Sequence, residues 1–398
     1  MTAIDQAPLR VLIAHNAYQQ RGGEDMVVEA EAALLRQHGH AVELMSRHND
    51  ELVNMSRASA ALDTLWSRRT VREMRERLAQ FRPAVVHVHN TFPLLSPSLY
   101  WACAEAGVPV VQTLHNFRLF CPQAMFLRDG KVCEDCLGRA PLPAIQHGCY
   151  RGSRAQTGVL AGMLMLHRAL GTWQHKVSRY IALNSFCRDK FIEAGLPADR
   201  IVIKPNFVEA LAPSADTPRR GFLFVGRLSP EKGVATLAQA WRLHEGAAQL
   251  SIAGTGPEDA LLQGLPRAEV LGALPLAQIQ KRMLSATALV LPSIWYENFP
   301  RTLVEAMGAG LPVIASRIGA LAALVQDGET GLLFEPGNAT DLRAKLAWAE
   351  AHPMELARMG QRARAVYEAE FTPERNLTAL LGIYAEAANT YRCPLGSY

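Results

Sequence analysis

Gly221-Phe222-Leu223-Phe224-Val225-Gly226-Arg227-Leu228-Ser229-Pro230-Glu231-Lys232-Gly233 sets an apolar run of strand length against a basic loop punctuated by glycine and proline. A buried strand, then such a loop, then a helical pattern is the repeating unit of a parallel α/β sheet. Downstream the unit recurs, with apolar runs at Leu250 to Ala253, Glu269 to Leu271, Ala288 to Leu291 and Pro312 to Ala315. Upstream an independent series begins at Leu9 to Ala14. It continues through Val42 to Met45, Ala84 to His89, Val108 to Leu114, Tyr180 to Leu183 and Ile201 to Ile203. Helical patterns fall between these runs, one from Glu24 to Gln37 and one over 66–81, where Val71, Met74, Leu78 and Phe81 share a face. Residues 207–219 are polar, contain proline and show no periodicity, which reads as an interdomain linker. The expected architecture is α/β: two doubly wound domains, 1–206 and 220–372, facing across a cleft, with a C-terminal helix and tail at 373–398. In such sheets ligands sit at the carboxyl ends of the strands.

The composition agrees. A chain of 398 residues, 49% hydrophobic and 20% charged, is long enough for two or three domains with large cores. It is not disordered, collagen-like or a small disulfide scaffold. No apolar run approaches the roughly 20 residues that span a bilayer. Met1-Thr2-Ala3-Ile4-Asp5 has neither a basic nor an apolar leader region, so the expected location is the cytosol. Charge is uneven: residues 1–206 hold 24 Lys and Arg against 18 Asp and Glu, whereas residues 207–398 hold 17 against 19. A mildly basic first half suits an anionic partner such as a lipid phosphate or a membrane surface. The excess is too scattered, and lacks interleaved aromatics, for nucleic acid to be the partner.

Three stretches carry chemistry. Glu297-Asn298-Phe299-Pro300-Arg301-Thr302-Leu303-Val304-Glu305-Ala306 follows a strand, and Pro300 suits the first turn of a helix. Glu297 then lies in the strand-to-helix loop and Glu305 within the helix. The helix start between them offers unpaired N–H groups and a positive dipole end, a seat for phosphate. In the opening stretch, Arg227 and Lys232 lie at the carboxyl end of a strand, and both cations favour phosphate oxygens. Gly22-Gly23-Glu24-Asp25 opens the first helix, where glycine lets a ligand approach the backbone. Each stretch alone also reads as an ordinary solvated loop.

Together, and in this order, they resemble glycosyltransferase family 4, retaining enzymes of the GT-B fold built from two Rossmann-like domains. The resemblance also takes in Ala253-Gly254-Thr255-Gly256-Pro257, Gly319 and the stretch Gly328 to Gly331, and it covers nearly the whole chain. It implies hexosyl transfer from a nucleotide-diphospho-sugar to a glycan or lipid-linked acceptor, with no metal needed for catalysis. Arg227 and Lys232 would hold the diphosphate, Glu305 the ribose hydroxyls and Glu297 the donor sugar. Backbone N–H groups of Asn298, Phe299, Thr302 and Leu303, around Pro300, would surround sugar and phosphate. Gly22 and Gly23 would complete the cradle from the facing domain, and the base would stack near Gly272. His115, at the end of a strand in the first domain, would lie by the donor sugar. The C-terminal helix would cross back to the first domain.

One departure stands out. Cys121, Cys133, Cys136 and Cys149 fall in an insertion after His115, with His147 nearby. A C-x2-C pair with two outlying cysteines fits a structural zinc site, and reduced thiols in an apolar loop are the alternative. Cys103, Cys187 and Cys393 read as core or tail residues. For the acceptor, Arg68, Arg69, Arg72, Arg75 and Arg77 crowd one helix, and Arg151, Arg154 and Arg168 flank the Leu- and Met-rich segment Val159 to Leu166. That segment is either an interfacial or acceptor-binding helix or a core helix, and the expected setting is the inner membrane surface. Rival readings are an inactive relative acting as a partner subunit, a sugar-nucleotide epimerase, a phosphorylase, or a dinucleotide oxidoreductase. The last lacks G-x-G-x-x-G after its first strand.

Overall fold

The computed structural model describes residues 8–209 and 218–392. Most of the expected linker, and Cys393 with the tail after it, lie outside the described residues. Two six-stranded parallel sheets organise the chain. The first contains β1 (Arg10–Ala17), β2 (Ala41–His48), β3 (Val85–Asn90) and β4 (Val110–Thr113). A small hairpin, β5 (Leu127–Arg128) and β6 (Lys131–Val132), lies in the cysteine-bearing insertion, and β7 (Arg179–Ala182) and β8 (Ile201–Ile203) complete the first sheet. The second sheet holds β9 (Phe222–Val225), β10 (Leu250–Ala253), β11 (Ala268–Gly272), β12 (Ala288–Leu291), β13 (Val313–Ser316) and β14 (Gly331–Phe334).

Strand order is β2-β1-β3-β4-β7-β8 in the first sheet and β11-β10-β9-β12-β13-β14 in the second. The second is the Rossmann order, and its reversal between β9 and β12 opens the crevice where ligands bind. Strands β3, β4, β12, β13 and β14 are buried at every position, as expected of strands covered by helices on both faces. The charged residues come in the loops beyond their carboxyl ends. Two hydrophobic clusters flank each sheet. The helix Pro373–Arg392 leaves the second domain and packs on the first: Leu377, Leu380, Leu381, Ile383 and Tyr384 join Val11, Ile13, Val28 and Leu35 in one cluster. Burying four or five such side chains contributes several kcal/mol, at about 1.5–3 kcal/mol each. That is ample to fasten the chain end.

The helix Arg68–Phe81 buries Met74 and Leu78 and leaves Val71 and Phe81 partly covered, so its apolar face is as expected. Three of its arginines are engaged inside the domain: Arg69 with Glu51, Arg75 with Glu105, and Arg77 with Glu43 and Glu73. The segment Val159 to Leu166 lies in the helix Arg154–Ala169, which is core on one side and exposed on the other. Leu160, Ala161, Met163 and Leu164 are buried, while Met165 and Leu166 face outward.

Candidate active site

The order of the second sheet decides the site. Because β9 and β12 are neighbours, the loops that follow them meet although 65 residues separate Lys232 from Glu297. Lys232 Nζ donates to Glu297 Oε1 at 2.9 Å, and Ser293 Oγ donates to the same oxygen. Glu297 is only 7% exposed, so this pairing is what keeps its charge tolerable. The loops also share backbone: Ile294 N donates to Glu231 O at 3.0 Å. Gly233 has φ +70°, and a Cβ there would stand 1.8 Å from the carbonyl oxygen of Pro292. Gly254, φ +149°, presses equally close on Gly226 O and brings the loop after β10 beside the basic loop. Only glycine permits either approach.

Arg227 is exposed, and Lys232 lies 5.6 Å from the Trp295 ring centroid. The helix Arg301–Gly308 starts without a side-chain cap, its N-cap being Pro300, one position earlier than the first helical turn that the sequence suggested. Glu305 accepts from Arg301 Nε at 2.8 Å. Gly272 ends β11 with φ +66° and accepts from Gly254 N.

Not every expected donor contact has a free group. Leu303 is fully buried and its N–H is spent on Pro300 O; Phe299 packs towards Phe371. Thr302 and the N–H groups at the helix start remain available to a ligand. Asn298 is an interdomain clasp: its carbonyl accepts from Asn184 Nδ2 at 2.7 Å and its Oδ1 from Cys187 Sγ at 2.6 Å. Cys187, read as an ordinary core residue, is buried and also joins the two domains. Nothing in its sequence context signals that.

The facing domain presents a different arrangement. His15, His89 and His115 come from the carboxyl ends of β1, β3 and β4. His89 Nδ1 and His115 Nε2 are hydrogen bonded at 2.8 Å, with their rings stacked. Behind them the buried Glu31 accepts from Lys204 Nζ at 2.6 Å and approaches His89 Nε2 to 3.6 Å. Burial first, then the neighbouring imidazoles, holds His89 and His115 well below the ordinary histidine range, so both rings are neutral at pH 7. Gly22 is the N-cap of the helix Gly23–Gln37, and its N–H donates to Asp25 Oδ2 at 2.7 Å. Asp25 also pairs with His15 Nε2 at 2.8 Å. Glu24 accepts from Tyr18 and Asn116, and burial pushes its carboxyl up. Sequence reasoning named only His115 and the two glycines here. Glu31, His89 and Lys204 carry no motif and meet only through the sheet.

The four cysteines of the insertion line one small cavity. Burial raises the Cys136 thiol to about 11, with the adjacent thiols adding to it. Among the described residues the ligand atoms of Glu31, His87 and His89 lie within 4.8 Å of one another, whereas the thiols are more widely spaced. Lys204 already occupies that Glu31, and both His87 nitrogens are bonded, to Tyr384 and Thr113.

Residues 21–210 match the model of Glycosyltransferase Family 4, and residues 211–366 match that of Glycosyl transferases group 1. The chain is a family 4 glycosyltransferase. It is 33% identical over 317 residues to a glycogen synthase of Mycobacterium tuberculosis, covering 74% of this chain and 75% of that one. To a phosphatidyl-myo-inositol mannosyltransferase of Mycobacterium leprae it is 36% identical over 189 residues, covering 44% and 50%. The fold is that of Anabaena HepE in complex with UDP (TM-score 0.65, 18% identity, 95% of this chain and 100% of that one). This glycosyltransferase therefore has the GT-B architecture, two Rossmann-like domains with the cleft between them.

Proposed function

We propose that this glycosyltransferase is a retaining hexosyltransferase that moves a sugar from a nucleotide-diphospho-sugar to a lipid-linked acceptor, with no metal at the reacting centre. The observation that carries the reading is the contact of Lys232 with Glu297, which joins the loops after β9 and β12 at the switch point of the donor-domain sheet. An incoming diphosphate competes with Glu297 for Lys232 and gains Arg227 as a forked second donor. Two such cations, aimed at the oxygens where charge builds as the sugar leaves, take the part a metal plays elsewhere; each well-placed donor contributes about 3–4 kcal/mol. Glu297, held by Lys232 and Ser293, is a poor nucleophile and a good acceptor for a sugar hydroxyl, which favours a same-face route over a covalent sugar intermediate. The neutral His115, held by His89, faces the cleft from the other domain and would bond to the donor sugar. A relative bound to UDP supports the donor class.

The acceptor reading rests on a groove of about 600 Å³ in the first domain, lined by Leu52, Met55, Phe92, Val159 and Leu160, with exposed Arg57 and Arg151 at its edge. Phe92 follows the carboxyl end of β3, so the groove opens on the same side as the cleft. An apolar channel rimmed by cations suits a hydrocarbon tail that carries a phosphate. Beside it Leu62, Met165, Leu166 and Leu170 are exposed, an apolar fringe suited to a membrane surface. No helix among the described residues is long and apolar enough to cross a membrane. A mannosyltransferase named for phosphatidyl-myo-inositol among the relatives agrees with a lipid acceptor.

The test is a melting screen against UDP, GDP and ADP and their sugars without added metal, followed by transfer to polyprenyl-phosphate and phosphatidylinositol-type acceptors. One nucleotide at 100 times its Kd stabilises the fold by about 2.7 kcal/mol and stands out from the others. If no nucleotide shifts the transition and no sugar is transferred, the donor reading is wrong. Transfer only to soluble glycans would remove the lipid acceptor and leave the donor site intact.

A further inference from the structure

We infer that Cys121, Cys133, Cys136 and Cys149 form a structural zinc site that fastens the insertion to the loop carrying Glu297. The four are separated by eleven, two and twelve residues, and the fold brings all of them around one cavity of about 20 Å³. That volume admits a single water-sized species. No three of the thiols lie within 4.8 Å of one another, so they would draw in around that space to ligate, and four soft thiolates would then select zinc.

Tight turns place the four cysteines around this space, at the edge of the first-domain core that takes in Cys121 and Phe126. Cys133 N donates to Phe126 O at 2.8 Å at the end of the β5–β6 hairpin. The turn that follows is closed by Leu137 N to Glu134 O at 2.9 Å and Arg139 N to Cys136 O at 3.3 Å. Cys149 comes directly after Gly148, the left-handed cap of the short helix Leu142–His147. Asp129 and Gly130 form the two-residue hairpin turn with φ of 52° and 73°, and Phe126, at φ 46°, is anchored in the first-domain core. Arg128 and Asp135 also line the cavity and are paired with each other at 2.7 Å.

The site has a route to the cleft. Glu134, between the paired cysteines, forms an ion pair with Lys190 at 2.9 Å and faces Tyr296, which precedes Glu297. Tyr296 also packs on Phe126 and Phe186 of the first domain. Drawing the thiols onto one ion sets the position of Glu134 and Phe126, and through them Tyr296.

The decisive measurement is metal content of the full chain purified without chelator, then its absorption spectrum after exchange into cobalt(II). About one zinc per chain and an intense thiolate-to-cobalt charge-transfer band are expected. Cys133→Ser with Cys136→Ser should lower the zinc at least tenfold. Removing the metal from the unaltered chain should raise the donor KM several-fold more than it lowers kcat. The inference fails if the folded, unaltered chain holds under a tenth of an equivalent after incubation with zinc. It fails equally if bound cobalt shows no thiolate band, or if the metal leaves with His89→Ala and stays in the cysteine variant. All of these readouts except KM are independent of catalysis, so an inactive chain with zinc would overturn the transferase reading alone.

Discussion

The two sheets are built alike and loaded differently. The second is lined by aliphatic and aromatic side chains, and the buried charged or imidazole groups described in its domain are Glu297, in a loop, and His244. The first carries Glu31, His87, His89 and Lys204, each no more than 3% exposed, at the heart of its packing. Taking charges out of water costs several kcal/mol per ion even after relaxation, so the first domain carries an expense that the second avoids. The difference is one of placement: the second domain is a plain scaffold with its polar groups in loops, while the first builds its cleft wall out of its own core. If the proposed donor site is right, changes to the loops after β9 and β12 should alter turnover and spare the fold, and changes to the buried set should do the reverse.

The largest effect expected on that division is in turnover. Replacing Arg227 and Lys232 together by Ala should lower kcat about 10⁴-fold or more, since each well-placed donor accounts for roughly 10² to 10³. The melting transition should stay near that of the parent chain; a collapse of the fold would dissolve the contrast. Next, Lys204→Met should lower the unfolding free energy by about 3–5 kcal/mol, because it leaves Glu31 buried and alone. Adding Glu31→Gln should restore a large part of the loss in a double-mutant cycle. Additivity of the two changes would mean that the pair contributes nothing as a unit.

Acidification probes the same core. Burial lowers the His87 ring to about 4, whereas an unfolded chain takes up that proton near 6.5. Above 6.5 neither state is protonated there, and stability is at its full value. As pH falls from 6.5 towards 4, the unfolded state binds the proton first and stability drops, by about 3 kcal/mol from this ring. His89, shifted the same way, steepens the fall. Chemical denaturation at pH 7 and pH 4.5 would show it, and a flat profile would argue that the rings are not buried neutral. The smallest expected change is Glu305→Ala, which should raise the donor KM about tenfold, near 1.4 kcal/mol, with kcat held within a few-fold. A fall in kcat instead would move Glu305 from donor binding to the reacting centre.

Much of the candidate site was legible because its signals are local. A buried strand, a glycine that must be a glycine and a cation a few residues on form one continuous pattern, as in the run from Phe222 to Gly233. Glu297 and Glu305 share a single loop and helix. The alternation of apolar runs likewise announced both sheets, because each strand is buried on both faces. The uses of particular atoms were less legible. Leu303 and Phe299 belong to the core by side chain, and Asn298 serves the domain junction with Cys187, a contact 111 residues apart that no spacing encodes.

By itself, then, the sequence determined a two-domain α/β chain, the family 4 resemblance and the candidate loops after β9 and β12, since strand patterning and loop chemistry act over a handful of neighbouring residues. Only the tertiary structure decided that Lys232 meets Glu297 rather than solvent. It alone gathered Glu31, His89, His115 and Lys204 behind one wall of the cleft, and gave the helix Pro373–Arg392, which the resemblance already sent back to the first domain, its seat on Val11, Ile13, Val28 and Leu35. The reason is physical. A parallel strand order, and the long-range burial that places charges opposite one another, arise from packing the whole sheet, and the energy of a buried pair depends on partners that sequence distance does not reveal.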